Sequence, residues 1–135
     1  MKLENQVCTF EQAKKLKELG IEQKTLFQWK HNDTQTVVIE TPMAMWIEKY
    51  VPPIGNKYYA AFTLSELSIM LPSETYIKRT GSEDSEYTNW EWIDEGNEAG
   101  WGNYNTQVEA AADMLIIYLE KNKLPVETCN ERLVA

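Results

Sequence analysis

The sequence predicts an α+β domain: an antiparallel sheet of about four strands with helices packed on one face. Three observations predict it. Apolar helical stretches open on T-x-x-E/Q patterns at Thr9, Thr63 and Thr106, the signature of a helix whose first free N–H groups are capped by side chains. β-rich runs stand in pairs around polar turns, within residues 25–40 and 75–94. The link inside each pair is too short for the crossover that parallel strands need, so both pairs should be antiparallel hairpins. At 135 residues, with 43% hydrophobic and 25% charged content, the chain should form a single domain spanning residues 1–135.

Taken in order, the first helix begins after Thr9, with Gln12 completing the capping box. Phe10, Ala13, Leu16 and Leu19 share one half of the helical wheel, and Gly20 ends it. TLFQW (25–29) and TVVIE (36–40) then read as strands joined by KHNDTQ. His31, the single histidine, falls in that joint and is expected to be a solvated turn residue. Residues 41–59 read as irregular, because Thr41-Pro42 suits a helix opening while Pro52-Pro53 and Gly55-Asn56 enforce extended or turning backbone, with a strand expected at 57–61. A short helix over 63–71 follows, in which Glu66 completes the box, Leu64, Leu67 and Leu71 form the apolar stripe and Pro72 is the stop. TYIKR (75–79) and YTNWEWID (87–94) are the second hairpin, and the second of these strands puts Trp90 and Trp92 on one face, expected to be the core face. The longest helix, over 106–122, carries Val108, Ala112, Leu115 and Leu119 on its apolar arc, widened by Ala111, Met114, Ile117 and Tyr118. Its polar side is narrow: Glu109, Asp113 and Glu120 fall within about 40° of one another at 100° per residue, with Ile116 beside them. Such a helix is either central to the core or shared with a second copy, and Ile116 favours a dimer. A terminal helix after Pro125 completes the order.

The net charge of -8 is unevenly placed. Residues 1–80 hold ten Lys/Arg against nine Asp/Glu, and residues 121–135 hold three against two. Residues 81–120 hold ten acids and no Lys or Arg. A segment of one sign this concentrated disfavours binding to a nucleic-acid backbone, which depends on cations displacing counterions. No stretch reads as a secretory leader or a membrane span, so a cytoplasmic protein without membrane partners is expected. Cys8 and Cys129 lie near opposite ends without C-x-x-C spacing and read as two ordinary thiols.

Catalytic machinery is sparse. The chain has no G-x-S-x-G, H-E-x-x-H, P-loop or G-x-G-x-x-G, and no second histidine to organise a triad. The reading is therefore not an enzyme, with no cofactor and no resident metal. A carboxylate enzyme binding a divalent cation through Glu91, Asp94, Glu95 and Glu98 is the weakest alternative, because their spacing does not match D-x-[DN]-x-[DN]-G and glutamates in a turn are more often solvated than ligating. The segment NWEWIDEGNEAGWGNYN (89–105) is the recognition candidate: Trp101 and Tyr104 sit among glycines and asparagines, a surface-turn composition, and aromatic residues dominate interface hot spots. Partner- or ligand-binding residues are thus expected to be Glu91, Asp94, Glu95, Glu98, Trp101 and Tyr104.

Three segments, VCTFEQAKKLKELG (7–20), YYAAFTLSELSIMLP (58–72) and QVEAAADMLIIYLEKNKL (107–124), together resemble a group of small proteins associated with phages and prophages of gut bacteria of the Bacteroides type. The resemblance covers about half the chain, at its helices, and these are core and cap residues that identify a fold rather than an active site. It implies a phage-linked accessory protein and carries no catalytic residue over.

The leading expectation is a phage-derived binding protein that engages a host bacterial protein through its acidic, aromatic surface. The alternative is a counter-defence sponge that sequesters a nucleotide-type signal, with Lys57, Lys78 and Arg79 as the candidate phosphate contacts.

Overall fold

The computed structural model describes residues 2–46, 51, 54–72, 75–80, 89–94, 104 and 106–134; the side chains of Ala44, Trp46, residues 78–80, residues 89–94 and Val134 lie outside that description. The described elements are helices α1 (Phe10–Glu18), α2 (Leu64–Met70), α3 (Gln107–Glu120) and α4 (Val126–Val134), and strands β1 (Phe27–His31), β2 (Thr36–Glu40), β3 (Lys57–Ala60), β4 (Thr75–Thr80) and β5 (Asn89–Asp94). Single 3₁₀ turns cover Leu3–Asn5 and Met43–Trp46.

Helix ends follow the local chemistry. Thr9 Oγ1 accepts from the Gln12 amide while Gln12 Oε1 accepts from the Thr9 amide, a closed capping box. Thr63 and Glu66 build the same box on α2. Thr106 Oγ1 accepts from the Glu109 amide at the start of α3, the half of the box that a hydroxyl supplies alone. Gly20, at φ +97°, closes α1: its N–H donates to the Lys17 carbonyl and that of Ile21 to Leu16. Asn122, at φ +56°, does the same for α3, with bonds from Asn122 to Leu119 and from Lys123 to Tyr118. Both are Schellman ends, which need a left-handed residue that glycine or asparagine adopts most readily.

The class is α+β, but the strands divide between two sheets. A three-stranded antiparallel sheet has the order β2-β1-β3, and β4 pairs with β5 in a separate antiparallel ribbon. The expectation of one sheet of about four strands is corrected accordingly. β1 is the centre of its sheet because β3 occupies its second edge, with Trp29 opposite both Val38 and Tyr59. The first hairpin is also tighter than the composition of KHNDTQ suggested. Asn32 Oδ1 accepts from the amides of Thr34 and Gln35, and the Asn32 N–H donates to the Gln35 carbonyl, so the turn is only Asn32–Gln35. His31 consequently sits in β1 opposite Thr36 and is half-buried, not a solvated turn residue.

The core is built where the helices meet. α3 lies against α1, α2 and both strands of the ribbon, α4 against α2, and α1 against β3. Leu16, Phe62, Leu67, Met70, Met114 and Leu115 are fully buried at these contacts, each apolar side chain contributing roughly 1.5–3 kcal/mol by leaving water. Ile116 is buried too, at 7% exposure, within the same cluster. The nearly all-apolar circumference of α3 is thus accounted for by its own chain. Trp29 is buried with its indole Nε1 donating to the Cys8 carbonyl at 2.9 Å, so the ring's one polar atom is satisfied. Among the described residues no helix is long and apolar enough to cross a membrane.

Candidate functional site

β5 carries the first of the predicted recognition residues. In the ribbon register Glu91 is opposite Lys78, Trp90 opposite Arg79, Trp92 opposite Ile77 and Asp94 opposite Thr75. Two of the candidate cations and two of the candidate acids are therefore brought onto one strand pair, and Glu91 and Lys78 are direct cross-strand neighbours. Ile77 is half-buried against the core, while Tyr76, one residue earlier, is 45% exposed. The alternation of β4 thereby separates a core-facing row from a solvent-facing one. Glu95, Glu98 and Trp101 lie outside the described residues.

Tyr104 is anchored on its own domain. It is half-buried and packs against the core, and its hydroxyl donates to Asp113 Oδ2 at 2.6 Å. The Gln12 side-chain amide donates to the Glu109 carbonyl at 2.8 Å and lies 3.4 Å from Asp113 Oδ1. One carboxylate of the supposed solvated stripe on α3 thus ties the segment before α3 to the start of α1. Sequence alone does not reveal this, because Gln12 and Asp113 are 101 residues apart.

The candidate phosphate contacts stand on different sheets. Lys78 and Arg79 belong to the ribbon, whereas Lys57 opens β3 in the three-stranded sheet, opposite His31. Around Lys57 lies a cluster that sequence reasoning missed. The Phe10 ring meets His31 at 4.9 Å, Tyr59 edge-on at 5.4 Å and Trp29 edge-on at 6.1 Å between centroids. Lys14 Nζ stands 5.5 Å from the centre of the Phe10 ring and Lys17 Nζ 4.8 Å from that of Tyr59, within the range of cation–π attraction. Lys17 also donates to the Tyr58 carbonyl at 3.0 Å. Partial burial, and then the nearby charge of Lys57, lower the Lys17 ammonium below the ordinary lysine value. His31 Nδ1 is 2.7 Å from Thr36 Oγ1. The one signal in the sequence was spacing: Lys57 and Tyr59 alternate onto the same strand face, and Phe10, Lys14 and Lys17 recur at helical spacing.

Both thiols are free and fully buried. Burial pushes Cys8 up to about 12, and the Glu66 carboxylate adds to the rise while backbone hydrogen bonding opposes it. Burial likewise pushes Cys129 up to about 11 against the opposing charge of Arg132. A thiol so displaced is a poor nucleophile at neutral pH. Among the described residues no three His, Cys, Asp or Glu side chains are grouped to hold a metal ion. A cleft of about 260 Å³ opens between the end of α2 and β4, lined by Ser68, Leu71, Pro72, Thr75, Tyr76, Ile77 and Met114. Among the described residues its mixed lining offers no titratable group besides the Tyr76 phenol. Compared with protein-family models, with curated proteins and with solved structures, the chain matches none of them.

Proposed function

We propose that the protein is a non-enzymatic binding module that engages a basic protein partner through the acidic segment built on β5 and the residues that follow it. The observation that carries this reading is the segregation of charge. The ten acids of residues 81–120 have no Lys or Arg among them, and the strand at their centre, β5, belongs to a ribbon separate from the three-stranded sheet. A segment of one sign steers and orients a partner of opposite sign. Glu91, Asp94, Glu95 and Glu98 supply the charge and Trp101 the aromatic anchor, while Tyr104 holds the segment's end against α3 through Asp113. The resemblance of residues 7–20, 58–72 and 107–124 to phage- and prophage-associated proteins supports a bacterial host protein as the partner.

Affinity purification from Bacteroides-type cells tests the reading. The wild-type chain is expected to retain a basic host protein, and the variant Glu91→Gln, Asp94→Asn, Glu95→Gln, Glu98→Gln is expected to lose it. Failure to recover any protein whose retention depends on those four charges would overturn the proposal.

A further inference from the structure

We infer that the corner where α1 crosses β1 and β3 is a binding site for a phosphate-type oxyanion, held by Lys17 and Lys57 with the His31 imidazole beside them. This site is independent of the partner-binding reading above. It lies on the three-stranded sheet and uses none of the acidic segment.

The elements place these groups together. Lys57 and His31 are direct cross-strand neighbours, and Tyr59 and Trp29 are the next pair on the same face. α1 lies across this face, with Phe10 against His31 and Tyr59 and with Lys17 reaching the Tyr58 carbonyl and the Tyr59 ring. Lys17 and His31 are each held with an N–H or ring nitrogen left over for a ligand. Lys17 gives one of its three N–H bonds to Tyr58, which leaves two. His31 is fixed through Nδ1 to Thr36, and among the described residues its Nε2 has no hydrogen-bond partner.

Among the described residues neither charge has a counterion. Lys17 and Lys57 are close enough to repel, yet the one ion pair between described residues is Lys24 with Glu22. Glu11 and Glu18 are the acids of α1 and Asp33 is that of the hairpin turn, and none of them forms an ion pair with either lysine. Two like charges left without a carboxylate are unfavourable by themselves, and an anion seated between them would relieve the repulsion. Two ammonium groups and an imidazole N–H are separate point donors, which suits the several oxygens of a tetrahedral dianion. A planar carboxylate is better matched by the paired donors of an arginine, and no arginine is part of this cluster.

Titration of the ¹⁵N-labelled full chain with inorganic phosphate, pyrophosphate and AMP tests the site. Saturable shifts are expected at the amides of Lys17, His31 and residues 57–59, with dissociation constants for inorganic phosphate on the order of millimolar. Lys17→Gln and Lys57→Gln should each weaken binding about ten-fold, as loss of a charged hydrogen bond does, while Lys57→Arg should keep it. Both lysines are solvent-exposed, so a thermal melt will verify that the variants fold. AMP binding more tightly than phosphate would assign the anion to a nucleotide, and equal affinity would assign it to free phosphate. Absence of saturable shifts with all three probes, or unchanged affinity in the Lys17→Gln, Lys57→Gln double variant, would overturn the proposal.

Discussion

α1 and the three-stranded sheet carry lysines that stand over aromatic rings: Lys14 over Phe10 and Lys17 over Tyr59. α3 and the β4–β5 ribbon present the opposite case, a helix buried on nearly every side and flanked by a segment with acids and no Lys or Arg. In both regions a helix packs on antiparallel strands, but the charged groups are employed differently. Lys17 keeps free donors at the surface, whereas Asp113, which composition alone would assign to a solvated stripe, is used to hold Tyr104 and approach Gln12. The sign of a region therefore says where a partner could be attracted. It does not say which charges are available to that partner, because some are already engaged within the chain.

The largest effect should come from the core that the two regions share. Phe62 is fully buried, and its carbonyl accepts from the Cys8 amide. Phe62→Ala is expected to cost roughly 3–5 kcal/mol in urea denaturation, with tryptophan fluorescence and far-UV circular dichroism shifting together. Separate transitions would break the comparison, by showing two independently folding units.

A second test uses the thiols, one near the sheet and one on α4. A thiol raised in the folded state keeps its proton while the unfolded chain loses it above the ordinary value of 9.0, so stability must fall as pH rises through that range. The expected slope is roughly 1.4 kcal/mol per pH unit for each thiol, between about pH 9 and the raised values. Substituting Cys8 and Cys129 by alanine should flatten the alkaline limb of the stability curve. An unchanged limb would mean that neither thiol is protected by folding.

A smaller and more discriminating effect concerns Tyr104. Tyr104→Phe removes the donor to Asp113 and should cost about 1–2 kcal/mol, while retention of a partner through the acidic segment is unaffected. A variant of normal stability that no longer retains the partner would return Tyr104 to the contact surface.

What the sequence makes legible follows the reach of the interactions. The helix ends are set by residues three apart, so Thr9 with Gln12, Thr63 with Glu66, and the glycine after α1 all announce themselves. The division into two sheets does not, because β3 joins β1 rather than a neighbour in sequence, and hairpin composition contains no information about that pairing. His31 is misplaced by the same limit: the Asn32 side chain tightens the turn, so β1 runs on to His31 instead of ending at Trp29, while β2 keeps its expected bounds. For the candidate site, charge segregation is plain from the chain, and the Lys78–Glu91 register follows from the hairpin. The anchoring of Tyr104 and the assembly of Lys17, Lys57 and His31 depend on contacts between distant segments, which no local pattern encodes.

Gln12 belongs to two structures at once. Its side-chain oxygen completes the cap of α1, and its side-chain nitrogen holds the Glu109 carbonyl in the first turn of α3. The opening turn of a helix is ordinarily the first to fray, exchanging its amides through small local fluctuations. Here fraying of α1 would also release the start of α3, so the two openings are one event. The amides of Thr9 and Gln12 should therefore exchange with solvent far more slowly than their position near the chain's beginning implies. The same bond closes a loop of 97 residues between the two helix starts.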